Sequence, residues 1–359
     1  LAACAATRHD GSSGTSAAID PPPADIEQMM LQQAEGAMAP PARSQAGPEP
    51  IASSPPPEEE TVPEDLFTVY LLDKKGYLAP MTLRIGRDHT SASESLEARA
   101  ETVLQWLTAD PQRMDQLPDG FTAPLPEGMK AEKISVDPDS GTVSIEFEGT
   151  FPVMQAALER KMIEALVWSM TELPGIEKVK LSAGSEPIRT LPASRLPLDE
   201  VLTRGIGINI ESIRGVHVSD SMAVTLYFSA RSENGDGYFV PVTRLVSRTS
   251  DRMKAALEEL MKGPADPVSL QNVWLPGFVI DGLESSPDTV SVSLRNKDWT
   301  PDQALPADML ESLVLTTTEA AGAPRVKVAV NGTDTFLDTE NRSYQRPVNR
   351  PVAVNMPES

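Results

Sequence analysis

The feature that most constrains the fold is an internal duplication. Met162–Ala183, MIEALVWSMTELPGIEKVKLSA, aligns without gaps on Met309–Val330, MLESLVLTTTEAAGAPRVKVAV, at a constant offset of 147, and nine of 22 positions are identical. Glu164, Glu172, Gly175 and Lys180 recur as Glu311, Glu319, Gly322 and Lys327. A repeat of this length is too long for a solenoid unit, so the chain must build two copies of one small domain.

Each copy is read from its periodicities. LFTVYLLDKKGYLAPMTLRI alternates in β-branched and aromatic residues and predicts two strands joined around Lys74–Gly76. AVTLYFSARSENGDGYFVPVTRLV repeats that pattern in the second copy. A helix follows, opened by a capping box at Ser91 and Glu94 and carrying Leu96, Ala100, Val103, Leu104 and Leu107 at helical spacing. SDRMKAALEELMKGP answers it. Next, LPDGF through GTVSIEF predicts a loop, a strand near Ala131–Val136, an Asp137–Gly141 turn and a strand at Thr142–Phe147. LPGFVIDGLESSPDTVSVSL is read as its counterpart. A helix from Val153 to Leu173 places Leu158, Met162, Ala165, Leu166, Ser169 and Leu173 on one face, and Ile176–Ala183 is the last strand.

Each copy thus reads ββαββαβ. The prediction is an α+β fold with two tandem copies of a small, mostly antiparallel sheet carrying two helices on one face. The copies occupy residues 66–190 and 222–340, separated by a connector at 191–221 and followed by a Pro-rich tail at 341–359 that reads as lying on the second domain or disordered.

Eleven of the 33 prolines fall before Asp65, in a stretch of Gly, Ser, Ala, Pro and Glu with few large apolar residues. Residues 5–65 therefore read as a disordered tether, since they bury too little surface to offset the entropy of ordering. At its start, Leu1-Ala2-Ala3-Cys4 matches a bacterial lipobox and contains the only cysteine of the chain. That reading expects signal-peptide cleavage before Cys4, a diacylglycerol on its thiol, and charged and apolar signal regions ahead of Leu1. A single acyl chain anchors weakly, so the two or three chains of a bacterial lipoprotein suit stable attachment.

The formal charge of −21 excludes nucleic acid as the main partner, because phosphate neutralisation needs a basic face. One cysteine allows no internal disulfide and no cysteine-based zinc site, and His9, His89 and His217 are scattered. There is no G-x-S-x-G, S-x-x-K, H-E-x-x-H or Walker loop, and RGIGINI lacks a dinucleotide fingerprint. Asp137-Pro138-Asp139-Ser140-Gly141 is half of a calcium loop and reads as a hairpin turn. The recurring Glu164, Glu172, Glu311 and Glu319 could pair for acid–base work, but Glu164 lies off the apolar stripe, and the four read as facing solvent or capping the sheet edge. Lys180 and Lys327 read as the outer face of a half-buried sheet. Trp106, Trp168, Trp274 and Trp299 share no spacing and read as core or rim packing first; Trp274 and Trp299, which fall in loops, are the candidate contacts for a glycan or a partner. No metal, cofactor or catalytic residue is assigned, and an enzyme is not expected.

The motifs VYLLDKKGYLAP, LPDGF, VWSMTELPGIEKVKL, LTRGIGINIE, LYFSARSENGDGYFVPVTR and VKVAVNG, in this order behind a lipobox and tether, resemble the GerM family of sporulation and germination lipoproteins, built from two tandem GerMN domains. The resemblance covers Leu66 to the tail. It implies a domain similar to ring-building motifs and a lipidated cysteine at Cys4. It also implies a place on the outer face of the cell membrane, at the septum between mother cell and forespore. The implied partners there are the channel proteins of stage III A and stage II Q, and the implied role is non-catalytic support of their assembly or localisation, and of germination. The alternative is a lipoprotein that binds peptidoglycan through Trp274 and Trp299, and a wall hydrolase built on Glu164 and Glu311 ranks last. One departure concerns the turn after the last strand: the second copy has Asn331-Gly332, and the first has Ser182-Ala183-Gly184-Ser185.

Overall fold

A computed structural model describes residues 63–86, 95–211 and 220–357. In the first repeat, β1 (Leu66–Asp73) and β2 (Leu78–Arg84) form an antiparallel hairpin, edged by the short β3 (Phe121–Thr122). The turn is held by Asp73, whose Oδ1 accepts from the N–H groups of Lys75 and Tyr77, both at 2.8 Å. Gly76 supplies the positive φ of 86° that the turn requires. Helix α1 (Leu96–Leu107) is capped by Ser95, whose hydroxyl accepts from Ala98 N. The capping box read at Ser91 and Glu94 lies outside the described residues.

A second sheet follows, with order β4 (Ala131–Asp137), β5 (Thr142–Phe147), β6 (Lys178–Ala183) and β7 (Glu186–Pro187). Helix α2 (Ala156–Met170) connects β5 to β6, and these two strands pair in parallel, as a crossover through a helix allows. The second repeat runs through the same series. Hairpin β8 (Ser221–Arg231) and β9 (Gly237–Ser247) is followed by α3 (Arg252–Lys262), β10 (Val279–Ser285), β11 (Thr289–Arg295), α4 (Ala307–Ala321) and β12 (Arg325–Val330). Strands β11 and β12 are parallel, and β13 (Val348–Asn349) closes that sheet's edge. The fold is α+β, with antiparallel pairs outnumbering parallel ones, as expected.

Three local expectations are corrected. First, the second helix is not buried on one face only. In α2, Glu159 and every residue from Met162 to Met170 are buried. The helix packs against both the hairpin and the second sheet, so its supposedly polar side is covered as well. Second, LPDGF is not the counterpart of LPGF. Thr122 bridges Leu72, and Gln271 bridges Ser229, the hairpin position that matches Leu72. The register therefore places Leu125–Met129 opposite Trp274–Phe278, with Gly128 and Gly277 sharing positive φ values of 81° and 86°. Third, the tail is neither loose nor confined to the second repeat. Val354 is buried, Thr82 N donates to its carbonyl at 3.1 Å, and its own N–H donates to Thr82 Oγ1 at 2.9 Å.

The described residues form one compact unit, and its main core runs through both repeats. Hairpin strands β2 and β9 pack against each other at its centre.

Candidate functional site

A cluster of buried and half-buried polar groups lies where the repeats meet, and it has two-fold pseudosymmetry. Tyr70 on β1 donates its N–H to Ser169 Oγ on α2 at 2.9 Å, and Tyr227 on β8 donates its N–H to Thr316 Oγ1 on α4 at 3.0 Å. The phenol of Tyr70 donates to Glu172 at 2.9 Å, and that of Tyr227 donates to Glu319 at 3.4 Å. The two glutamates are the same position of the duplicated segment, each just past the buried part of its helix.

Arg204 joins them. Its Nη2 reaches Glu172 at 2.6 Å, its Nη1 reaches Glu319 at 2.9 Å, and its Nε donates to Thr171 Oγ1 at 2.8 Å. The guanidinium lies 4.6 Å from the ring centroid of Trp168. Arg350 occupies the corresponding place after the second repeat. It donates to the Tyr227 hydroxyl at 2.8 Å, pairs with Glu319 at 3.3 Å, and binds Leu315 O and Thr318 Oγ1.

Two carboxylates against two guanidiniums leave this centre without net charge. Burial pushes the Glu172 carboxyl up, but Arg204, Arg350 and the Tyr70 hydroxyl outweigh it and hold the group below the usual range. Burial and the Glu172 charge raise the Tyr70 phenol well above its ordinary value. Burial also pushes Tyr227 up to about 12, with Arg350 opposing the shift. The tyrosines are therefore donors, and Glu172 an acceptor, at neutral pH. Each proton is committed to a partner, which makes the centre a lock between helices rather than an acid–base pair.

The segments bearing the arginines carry a further lock. Arg204-Gly205-Ile206-Gly207-Ile208-Asn209 matches Arg350-Pro351-Val352-Ala353-Val354-Asn355 at an offset of 146. Ile208 N donates to Thr243 Oγ1 of the second hairpin at 2.9 Å, as Val354 N does to Thr82 Oγ1 of the first. Asn209 binds Leu78 and Pro241, and Asn355 binds Phe239 and Pro80. The trailing segment of each repeat thus completes the hairpin of the other.

Other recurring or charged residues have equally settled partners. Glu164, expected in solvent, is buried at 1% exposure; its carboxylate accepts from Asn209 N at 3.0 Å and from Arg160 Nε at 2.7 Å. Glu159 is fully buried and accepts the N–H groups of Ala193 and Ser194, both at 2.7 Å, which ties the connector to α2. Arg244, also buried, pairs with Glu211 at 2.7 Å and Glu259 at 3.0 Å. Glu311 is held above the usual carboxyl range by burial, against the pull of Arg342. Glu164 and Glu311 sit in separate surroundings and do not form a carboxylate pair.

Lys180 and Lys327 lie on partly exposed strand positions, as expected, with Lys180 near Glu200 and Lys327 near Asp334. Asp137 makes the predicted turn, accepting from Ser140 Oγ at 2.6 Å and Asp139 N at 3.2 Å. Among the described residues no group of three or more His, Cys, Asp or Glu could hold a metal ion, and no helix is long and apolar enough to cross a membrane.

Trp274 and Trp299 are buried at 9% and 7% exposure, and their indole N–H groups donate to the carbonyls of Phe278 and Gln303. Neither presents a stacking face for a sugar ring. Trp299 instead meets Phe336 edge-on. Cys4, His9, His89 and His217 lie outside the described residues.

Arg204, Asn209, Arg350 and Asn355 were missed from the sequence. The available signal was the shared pattern Arg-x-aliphatic-x-aliphatic-Asn in RGIGIN and RPVAVN.

Comparison with known proteins gives concordant matches. The family described as Germane, sporulation and spore germination, matches residues 68–189 and 225–335. The chain is 28% identical over 295 residues to the spore germination protein GerM of Bacillus subtilis strain 168, which covers 80% of this chain and 77% of that protein. The solved tandem GerMN domains of the sporulation protein GerM from Bacillus subtilis superpose with a TM-score of 0.73 at 27% identity, over 81% of this chain and 99% of theirs.

Proposed function

The chain belongs to the Germane family of sporulation and spore germination, and on that premise we propose that it is a membrane-anchored, non-catalytic lipoprotein of endospore formation. Its role in this reading is to support assembly or localisation of the septal channel complex between mother cell and forespore, and germination.

The observation that carries the reading is the reciprocal junction. Glu172 and Glu319, the recurring residues with the most chemical capacity, hold the two repeats together through Arg204. A body locked in this way suits a scaffold, whose two repeats must keep a fixed relation while partners bind. The partners in this reading are the stage III A and stage II Q channel proteins.

Anchoring is assigned to a diacylglycerol on Cys4, which places the body on the outer face of the cell membrane.

The test is a fluorescent fusion of the full chain in sporulating cells, compared with Cys4→Ala. The expected result is septal signal and membrane fractionation for the parent and a soluble, unlocalised variant. Normal septal targeting of Cys4→Ala would remove the anchor from the reading.

A further inference from the structure

The pseudosymmetry of the repeats is broken at one exposed place. Ten residues, 111–120, separate Asp110 from Phe121 in the first repeat, whereas three, 267–269, separate the corresponding Asp266 from Leu270. The longer segment forms a single 3-10 turn at Met114–Gln116 and walls off a hole of about 180 Å³. Trp106, Met114, Leu117 and Phe121 line it. Met114 is 62% exposed, although the core it would otherwise join is adjacent.

Along Thr108–Asp110 and Arg113 the hole adjoins a trough of about 760 Å³ between α1 and β4. Glu97, Glu101, Asp110, Glu127, Glu132 and Glu148 line the trough, against Arg113, Lys130 and Lys133. Asp110 is neutralised by Arg113, and Glu97 accepts from Val136 N. Glu101, Glu127, Glu132 and Glu148 make no ion pair with any described residue.

We propose that this groove of the first repeat receives a basic segment of a partner protein, with one aromatic or aliphatic side chain seated in the apolar hole and flanking lysines or arginines over the unpaired glutamates. Charge selects this occupant from the alternatives. A second copy of a chain with a net charge of −21 meets repulsion at an acidic trough, and the chain's own first 62 residues are acidic too, with Glu58-Glu59-Glu60 nearest the folded body. The hole supplies what charge alone cannot, a preference for one side chain. The inference rests on the reading of the protein as a non-catalytic binding body, but not on its anchor, since it concerns the unlipidated chain in solution.

The experiment titrates the purified full chain into a fluorescein-labelled peptide, Lys-Lys-Gly-Trp-Gly-Lys-Lys, followed by anisotropy at low salt. Replacing the peptide's Trp by Ser is expected to weaken binding about ten-fold, the scale of one buried aromatic anchor. Met114→Ser and the double variant Glu101→Lys with Glu132→Lys are each expected to weaken the Trp peptide about ten-fold. Glu258→Lys, on the exposed face of α3 in the second repeat, should leave it unchanged. All four altered positions are exposed, so folding is retained.

Equal affinity for the Trp and Ser peptides would overturn the proposal, as would equal weakening by Glu258→Lys, because either outcome reduces the effect to general attraction by an acidic surface. Concentration-dependent dimerisation that is abolished by Met114→Ser would also overturn it, assigning the groove to a second copy. Failure of the Cys4→Ala localisation test would leave this result untouched, so the two readings fail separately.

Discussion

Asn209 and Asn355 are related by the internal two-fold, and each clamps both hairpins at once. The Asn209 amide donates to Leu78 O and Pro241 O, both at 2.7 Å, and its Oδ1 accepts from Leu78 N at 2.9 Å. The Asn355 amide donates to Pro80 O and Phe239 O, both at 2.8 Å, and its Oδ1 accepts from Phe239 N at 2.7 Å. Both residues have positive φ, 46° and 53°, a conformation asparagine tolerates better than most side chains. Pro80 and Pro241 fit the same scheme. Proline is tolerated where the N–H would point away from the partner strand, and at such a position the carbonyl points the same way, where the asparagine meets it.

This geometry predicts that the repeats unfold together. Asn209→Ala strands the Leu78 N–H and two carbonyls in the interior and also removes the acceptor of the part-buried Lys161 ammonium, and the expected loss is about 2–3 kcal/mol. Asn355→Ala should cost a similar amount, and the double variant should deviate from additivity because both residues grip β2 and β9. Urea denaturation of the full chain followed by far-UV circular dichroism checks this. The parent should show one transition, and two separated transitions would mean that the repeats are independent.

Arg204 offers a second test. It bridges two glutamates from different repeats and also binds Thr171. Truncating one member of a half-buried charge cluster leaves the others uncompensated, so Arg204→Ala should destabilise by about 2–3 kcal/mol. Arg204→Lys should rescue little of this, because one ammonium cannot span three acceptors placed for a planar fork. Thermal denaturation of the three proteins separates these outcomes; full rescue by lysine would mean that charge alone matters.

The duplication, the order of elements and the two hairpins are legible in the sequence because they rest on local periodicity. Glu164 was misread because stripe reasoning assumes one covered face, and α2 is covered by a hairpin and by a sheet. The LPDGF register was misread because identical letters outweighed position; Leu125–Met129 holds the structural place, fixed by the bridge of Thr122 to Leu72. Arg204 and Arg350 were invisible for another reason. Their neighbours differ, Gly-Ile-Gly against Pro-Val-Ala, and their meaning depends on contacts more than 30 residues away along the chain. The burial of Trp274 and Trp299 follows from loops that fold back on their own indole N–H groups, which no periodicity encodes.

Acid stability follows from the carboxyls of the junction. Glu172 has a folded value below its unfolded one, so its contribution is present above the unfolded value, near 4.3, and is lost as the pH falls through the folded one. Glu159 and Asp338 shift in the same direction, because backbone N–H groups, and Arg342 beside Asp338, outweigh the cost of burial. The parent should therefore lose stability steeply below about pH 4. Glu172→Gln keeps the shape and the Tyr70 contact but loses the charge. It should be less stable at neutral pH and show a shallower decline on acidification. Urea midpoints across the acid range measure this, and parallel curves for parent and variant would rule out Glu172 as a contributor.

Gly141 joins β4 to β5 and is also the point where that turn touches the loop after α2. Its φ is +63°, and a Cβ there would lie 2.9 Å from Gly175 O, a backbone atom that no rotamer change can move aside. The close approach has a purpose in the register: Glu177 N and Lys178 N both donate to Gly141 O, at 2.8 and 3.0 Å, which starts the parallel pairing of β5 with β6. Gly141→Ala should therefore cost more than the roughly 1 kcal/mol of left-handed strain alone. Gly76→Ala is the control, since its φ is +86° with nothing within 4 Å of the added methyl. Denaturation midpoints should rank parent above Gly76→Ala and Gly76→Ala above Gly141→Ala. Equal losses in the two variants would show that the loop after α2 yields to the methyl, and that the contact does not set the strand register.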